Sequence, residues 1–217
     1  MVPVIGADEG QHQPHGGVGW HEVHRVDAWS LDGALAVSWS VTARPATARA
    51  GFLAAVLRPD EAPVVLAEDD IELPPRRWEL RTSGLWAECV CETPLEHWSY
   101  GLESFALVIA DPAELLGRAV GDRLPLGWEL EFEARDEATW EATDAYGQDG
   151  EVHGVVLLGR DEVEVSLACA RRHWWGLDPP PVFDAGAPPG AVALPDAGGT
   201  WWLAQQAGGL HVSRRPG

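Results

Sequence analysis

The sequence predicts a mainly β protein, either one lipocalin-like antiparallel barrel or two short curved β-halves that share a core. Three observations lead to this prediction: apolar residues alternate with a period of two, short strand-like segments are numerous, and only one helix is well signalled. About ten segments carry strand-like patterns, which is the number expected of a sandwich or a barrel. A chain of 217 residues is also long enough to bury a sizeable apolar core.

The strongest strand signals are three runs in which apolar residues alternate with polar or small ones, at 34–41, 128–134 and 163–169. Such alternation is typical of a strand with one buried face. A Gly-containing corner at 159–161 joins the third run to 152–158, which predicts a hairpin. Weaker strand signals lie at 50–57, 64–73, 77–82, 85–92, 98–109, 200–204 and 210–213.

One helix is well signalled, over residues 112–118. Asp111 is a good N-cap residue, and Pro112 suits the first turn of a helix. Glu114, three residues after the cap, completes an acidic variant of the capping box. This helix lies near the middle of the chain, so we expect it to join two halves.

The predicted helix divides the chain into a first β-half, residues 20–110, and a second part, residues 111–217. The second part contains the helix, a β-half, a Pro- and Gly-rich crossing and a final hairpin. Residues 1–19 show no hydrophobic periodicity and are predicted to form a flexible N-terminal arm. Each half is short for an ordinary closed barrel, so a shared core is expected.

The composition excludes several classes of function. With 15 basic and 34 acidic residues, the chain has a net charge of −19 and no basic cluster that could neutralise a nucleic-acid backbone. No run approaches the roughly 18 apolar residues that cross a bilayer, and the N-terminus lacks a signal-peptide pattern. The chain contains no Lys, which excludes Schiff-base and P-loop lysine chemistry. We therefore expect a cytoplasmic protein that binds neither nucleic acid nor membranes.

The sequence predicts no metal and no other cofactor. His21 and His24 are three residues apart in an extended segment, so they point to opposite faces, unlike the i, i+4 pair of a zincin helix. His12 and His15 lie in the predicted arm. The cysteines are odd in number and form no disulfide framework; Cys169 stands alone, and Cys89 and Cys91, which project to one face of an extended segment, are interpreted as two buried thiols.

Twelve tryptophans are the most unusual feature of the composition. A buried indole contributes a large flat apolar surface and needs an acceptor for its N–H group. Inside a β-barrel, indoles either fill the core or line a cavity for an apolar ligand. Both interpretations are open for any single tryptophan. For the set we predict a Trp-lined pocket, with Trp39 and Trp128 in its wall.

A first polar cluster lies in a Pro-containing turn between two predicted strands. It consists of Glu92, Glu96, His97 and Trp98. A carboxyl group that faced an apolar pocket would have a raised pKa and could transfer protons, whereas a solvated acidic turn explains the same residues. Glu103, on the following strand, joins the cluster if its side chain faces the same interior.

A second polar cluster follows the strongest predicted hairpin, where Arg171 and Arg172 stand beside His173 and Trp175. Buried guanidinium groups need carboxylate partners, and this chain has carboxylates in excess. Paired with an internal Glu, an arginine would form the polar floor of a Trp-lined pocket, with His173 as a hydrogen-bond donor or an acid. A structural salt bridge that closes the barrel explains the same residues equally well.

This second cluster also carries a family resemblance. Residues 154–165 followed by 170–176, which read ARRHWWG, resemble the second-half signature of the AttH-like and carotenoid 1,2-hydratase (hydroxyneurosporene synthase) superfamily, a hairpin that leads into a stretch like HRDHSWG. The residues that match this stretch are Arg171, His173, Trp175 and Gly176; those that differ are Ala170, Arg172 and Trp174. Segments 29–41 and 92–105 are similar in character to the first half of the superfamily. The resemblance implies paired lipocalin-like β-domains and hydratase or cyclase activity on apolar polyenes.

The predicted function is the binding of an apolar small molecule, such as a terpenoid, a polyketide or a steroid, without a cofactor. A hydration, isomerisation or cyclisation in which Glu92, Glu96 or His173 handles the proton is a further hypothesis. The alternative is a non-catalytic carrier, or an interaction module whose core is filled by its own indoles. The predicted ligand-contacting residues are His97, Trp98, Glu103, Arg171, Arg172, Trp175, Trp39 and Trp128.

Overall fold

The described part of the chain is mainly β-strand with almost no helix, which confirms the predicted fold class. The computed structural model describes residues 2–15, 17–59, 61–75, 78–110 and 121–177, together with the backbone of 192–196, 199–206 and 209–216. The predicted helix at 112–118 lies outside the described residues. The strands are β1 (His21–Trp29), β2 (Ala36–Arg44), β3 (Arg49–Leu57), β4 (Val64–Glu72), β5 (Trp78–Arg81), β6 (Leu85–Thr93), β7 (His97–Val108), β8 (Asp122–Ala134), β9 (Thr139–Ala142), β10 (Ala145–Leu158), β11 (Asp161–Gly176), β12 (Val192–Asp196), β13 (Gly199–Gln206) and β14 (Gly209–Pro216). Two short 3₁₀-helices span Gly6–Glu9 and Pro45–Thr47.

Eight strands form a closed antiparallel ring in the order β1-β2-β3-β4-β7-β8-β10-β11, and β11 pairs again with β1. The shortest strand pairing in the ring is that of β4 with β7, which consists of two residue pairs: Val64 is opposite Val108, and Val65 is opposite Leu107. β6 and β5 continue the sheet beyond β7, and β9 pairs with β10. Because both predicted halves contribute strands to this ring, they build one barrel around one core.

The local predictions of strand and turn are confirmed where the alternation is strongest. β10 and β11 form the predicted hairpin, with Leu158 opposite Asp161. Gly159 in the connecting turn has a φ of +69°, a left-handed conformation that glycine adopts without strain. The alternating run at 128–134 lies in β8, and its apolar side chains face the interior while its glutamates face solvent.

Aromatic side chains fill the apolar part of the barrel interior. The ring centroid of Trp39 lies 4.9 Å from that of Tyr100 and 5.3 Å from that of Trp128. Phe132 and Trp98 are buried in the same apolar cluster. Close-packed cores of this kind leave few voids larger than a water molecule. Trp39 and Trp128 are therefore core residues that pack on each other, and Trp128 also lines a cleft of about 340 Å³ together with Glu103.

The outer face of β2 and β3 is also buried, at Thr42, Leu53 and Ala55. β12, β13 and β14 form a second, three-stranded antiparallel sheet. Within this sheet, β13 lies against β2 and β3, and β14 lies against β4. These barrel strands therefore lie between the interior and a covering layer.

Among the described residues, no helix combines the length and the apolar character of a membrane span.

The two cysteines predicted to be buried, Cys89 and Cys91, differ in their burial. Cys89 and Cys169 are buried, and Cys91 is half-buried in β6. Burial raises the pKa of the Cys89 thiol to about 12, so it is protonated at neutral pH. A protonated, buried thiol behaves as a small apolar side chain.

A charged network on the outer face of β1 supports a pH-dependent stability prediction. The guanidinium of Arg25 donates two hydrogen bonds of 2.7 Å to the carboxylate of Asp27, and the Ser38 hydroxyl donates a third of 2.7 Å. Burial would raise the pKa of Asp27, but Arg25 and Ser38 outweigh it and hold that pKa below its usual value.

We expect Asp27→Asn to destabilise the protein by about 3 kcal/mol at pH 7, because it leaves Arg25 buried with a weaker partner. Since the folded-state pKa of Asp27 is lowered, its stabilisation is complete above the unfolded-state pKa of about 4 and is lost as the pH falls through the folded-state pKa. Urea unfolding at pH 7 and at pH 3 measures both effects.

The matched control is Asp70→Asn, since Asp70 is 86% exposed and contacts Arg49 at 2.7 Å. We expect this exposed pair to contribute less than about 1 kcal/mol. Equal losses for the Asp27 and Asp70 variants, or a difference that does not shrink at acid pH, would contradict the assignment.

Candidate functional site

The interior faces of β1 and β11 change from apolar to polar toward the end of the barrel where β1 begins. On β1, read from its last residue to its first, the interior positions are the apolar Ala28 and Val26 and then the polar His24 and Glu22. On β11, read forward, the apolar Cys169 comes before the polar Arg171 and His173. The register places His24 directly opposite His173. On the other side of β11, Tyr146 is opposite His173, and Gln148 is opposite Arg171. Strand pairing therefore gathers these polar side chains at one end.

The N-terminal segment, residues 2–15, runs across this end and supplies two further polar side chains. Glu9 is buried at the end of the first 3₁₀-helix, and Val4 belongs to a buried apolar cluster with Trp20, Tyr146 and Trp175. His12 stacks on Trp175 with ring centroids 3.5 Å apart and planes 11° apart. The sequence predicts a flexible arm here and none of these contacts, because composition does not show that Val4 and Glu9 have buried partners.

Glu22 is the centre of a hydrogen-bonded group that joins three distant parts of the sequence. Its Oε1 accepts a hydrogen bond from His12 Nδ1 at 2.8 Å and from His173 Nε2 at 2.9 Å. The backbone N–H of His12 also donates to Oε1, at 3.1 Å. Burial would raise the pKa of Glu22, but the hydrogen bonds from His12 and His173 lower it below its ordinary value. Glu22 is therefore a buried, ionised carboxylate.

His173 is a neutral imidazole at physiological pH. Burial, together with the nearby His24, lowers the pKa of His173 to about 3. Because Glu22 only accepts, the proton of neutral His173 lies on Nε2, and the Tyr146 hydroxyl donates to Nδ1 over 3.3 Å. A neutral imidazole can accept a proton or bind a metal, but it is a poor acid, so His173 does not suit protonation of a polyene.

His24 is buried beside this group without a partner for its Nε2 atom. Its ring stacks on His173, with centroids 3.8 Å apart and planes 25° apart. Burial and the charge of Arg171 lower its pKa well below the usual value, so it is also neutral. A buried polar atom without a hydrogen bond is uncommon and destabilises a protein by about 1–3 kcal/mol. The indole N–H groups of Trp20 and Trp98 also lack acceptors, contrary to the expectation from the sequence.

Arg171 is paired with Glu9 from the N-terminal segment. Nη1 donates to Glu9 Oε2 at 2.8 Å, and Nη2 donates to Glu9 Oε1 at 2.7 Å and to Gln148 Oε1 at 2.6 Å. Only 1% of the Arg171 side chain is exposed. The guanidinium carbon lies 5.2 to 5.7 Å from the ring centroids of Trp98, Phe132 and Tyr146. The predicted pairing of an arginine with an internal Glu therefore occurs, and the partner is Glu9.

A cleft of about 210 Å³ opens beside Glu22 at the same end of the barrel. The lining includes His12 from the N-terminal segment and Glu22 from β1. The apolar lining residues of β2, β4 and the turns beside them are Ala43, Pro45, Ala48, Leu73, Pro74 and Pro75. The cleft therefore presents an ionised carboxylate and one imidazole together with several apolar side chains.

The structure does not bring Glu92 and Glu96 into this site. Both side chains are exposed, and Glu92 accepts a 2.8 Å hydrogen bond from the Ser99 hydroxyl. Neither carboxyl group is therefore buried against an apolar pocket, as the predicted proton transfer requires. Leu95 of this turn does reach the cluster: its backbone N–H donates to Glu9 Oε1 at 3.0 Å, and its side chain packs on the group formed by Val4, Trp20, Tyr146 and Trp175.

The predicted ligand-contacting residues are distributed over three environments. Trp98, Arg171 and Trp175 belong to the polar end of the barrel. His97, Glu103 and Arg172 lie on the outer face; His97 contacts Glu131 at 2.6 Å, Glu103 is exposed, and Arg172 contacts Glu141 at 3.4 Å. Trp39 and Trp128 lie in the packed apolar core.

Several residues of the site were not predicted from the sequence: Glu9, His12, Glu22, His24, Tyr146 and Gln148. One signal was available in β1, where Glu22 and His24 occupy the same face as Val26 and Ala28. Polar residues in phase with an apolar face indicate an interior polar site. His21, which was paired with His24 in the metal interpretation, lies on the opposite face of β1, so that interpretation does not reveal the pair of Glu22 and His24.

Comparison with known protein families and with curated proteins finds no match to this chain. The resemblance to the AttH-like and carotenoid 1,2-hydratase superfamily therefore stays a prediction.

Proposed function

We propose that the protein binds a small, largely apolar molecule in the cleft beside Glu22, with one polar group of the ligand at the carboxylate. Ligand sites typically combine apolar walls with a few polar groups that fix orientation, and this cleft has that division. Its volume of about 210 Å³ suits a small ligand or one end of a larger terpenoid, polyketide or steroid. The ligand lies at the barrel end, because aromatic rings fill the centre.

The observation that carries this proposal is that an ionised carboxylate and several apolar side chains line the same cleft. Oε1 of Glu22 receives the hydrogen bonds from both imidazoles, whereas Oε2 receives one 3.3 Å contact from the His12 N–H. A carboxylate oxygen has two lone pairs, so Oε2 has capacity for a further donor. A ligand hydroxyl supplies such a donor, and a ketone does not. The ligand class is therefore an alcohol on an apolar skeleton.

A titration with menthol, a small cyclic terpenoid alcohol, tests the proposal by ¹H–¹⁵N NMR. We expect menthol to shift the signals of the cleft residues and to bind at least about tenfold, or 1.4 kcal/mol, more tightly than the ketone menthone. Glu22→Gln should remove most of this preference. Native mass spectrometry of the purified protein identifies any larger molecule that co-purifies.

Leu73→Trp adds bulk to the apolar lining of the cleft and should weaken menthol binding by at least about tenfold. The matched control is Leu31→Trp, which introduces the same side chain at a position that is 94% exposed between β1 and β2. Unchanged binding in the Leu73 variant, or no preference for the alcohol over the ketone, would place the ligand elsewhere and end the proposal.

A further inference from the structure

The geometry points to a binding site for one divalent transition-metal ion, formed by His12 Nδ1, the carboxylate of Glu22 and His173 Nε2. These three ligand atoms lie within 4.8 Å of one another, and each nitrogen is within 2.9 Å of Glu22 Oε1. Ligand atoms that bind a zinc ion at about 2.0–2.2 Å are at most about 4.4 Å apart, so only small side-chain movements are required.

The donor set suits borderline metals such as Zn²⁺, Fe²⁺ and Co²⁺. Two imidazoles and one carboxylate form a three-ligand set that leaves coordination positions open, as in catalytic rather than structural sites. His12 and Glu22 line the cleft, so an ion has a path of entry, and a water or a ligand oxygen can reach it. The nearby charge of Arg171 is neutralised by its bidentate pair with Glu9.

The groups around the three side chains hold them in place as an outer shell. The Tyr146 hydroxyl lies 3.3 Å from His173 Nδ1, and the ring of Trp175 stacks on His12 at 3.5 Å. When a metal takes His173 Nε2, the proton of that nitrogen moves to Nδ1, where the Tyr146 oxygen can accept it. Metal-binding histidines usually donate their second ring N–H to such an oxygen.

His24 provides an independent observation at the same place. Its Nε2 is buried without a partner, while its ring lies against that of His173. Natural structures seldom leave a buried polar atom unsatisfied unless a water, an ion or another group serves it. A metal ion with its bound water beside His173 is a group of this kind.

The test is a titration of the full-length protein, without a polyhistidine tag and after treatment with EDTA, with Co²⁺ alone. We expect one Co²⁺ per chain by calorimetry, a visible absorption band from bound cobalt, and displacement of this band by Zn²⁺. His12→Ala and Glu22→Gln should each weaken binding by at least about 100-fold, since changes in the outer shell alone cause about 10–100-fold losses.

The matched control is His153→Ala, which removes a half-exposed imidazole that contacts the Glu151 carboxylate at 3.4 Å. It should bind Co²⁺ like the natural protein. Near-UV circular dichroism checks that each variant is folded, and His12→Gln replaces His12→Ala if the latter is not. Absence of a stoichiometric Co²⁺ site, unchanged binding in the folded His12 and Glu22 variants, or an equal loss in the His153 control would each overturn the inference.

This inference concerns the cleft for which we propose ligand binding, yet the two are tested separately. The Co²⁺ titration contains no organic ligand, and the menthol titration is made on metal-free protein. Binding of Co²⁺ without menthol rejects the proposed function alone, and binding of menthol without Co²⁺ rejects the metal site alone.

Discussion

Replacing Arg171 with Leu destabilises the protein by about 3–5 kcal/mol, because it leaves the Glu9 carboxylate buried without its cation. The two side chains are almost fully buried and share two hydrogen bonds of 2.7 and 2.8 Å. Gln148 loses a partner in the same variant. Urea unfolding at pH 7 measures the change in the free energy of unfolding.

The control for this prediction is Arg81→Leu. The Arg81 side chain is 71% exposed and pairs with Glu79 on β5. An exposed ion pair contributes about 0–1 kcal/mol, so this variant should unfold nearly like the natural protein. Similar losses for the two arginine variants would mean that the Glu9–Arg171 pair is not buried as described.

Replacing Trp39 with Ala should also destabilise the protein by about 3–5 kcal/mol, because it opens a cavity in the packed core. Trp39 is buried against Tyr100 and Trp128, with ring centroids 4.9 and 5.3 Å away. The same unfolding measurement applies here, and an apolar cavity left by the substitution should stay dry.

Trp29→Ala is the matched control, since Trp29 stands at the end of β1 and is 42% exposed. We expect it to destabilise the protein by about 1 kcal/mol or less. If Trp39→Ala were as mild as the control, Trp39 would border open space, as the Trp-lined pocket predicted from the sequence requires.

Local pattern was enough to predict the strands and the main hairpin. Side chains alternate between the two faces of any strand, so the run at 128–134 shows its buried face without knowledge of its neighbours. The closure of the ring was not accessible in this way. It depends on two residue pairs between β4 and β7, Val64 with Val108 and Val65 with Leu107. No local pattern specifies which strands meet.

The candidate site could be predicted only in part, because its residues are far apart in the sequence. Arg171 and His173 were predicted from their own segment, but Glu9 is 162 residues from Arg171, and Glu22 is 151 residues from His173. Contacts over such separations follow from the order of strands in the barrel. Glu92 and Glu96 failed as candidates for the opposite reason: they are close in sequence, but nothing packs over them, so they stay in water.

The central claim is that the N-terminal segment is fastened to the barrel end by the Glu9–Arg171 pair, which places His12 beside Glu22 and His173. A double-mutant cycle of Glu9→Gln and Arg171→Met, followed by urea unfolding, tests this claim most directly. The structure predicts a coupling free energy of at least about 2 kcal/mol. The double variant should lose less free energy of unfolding than the sum of the losses in the two single variants. A coupling below about 0.5 kcal/mol would show that the two side chains do not meet, and would contradict the site built on them.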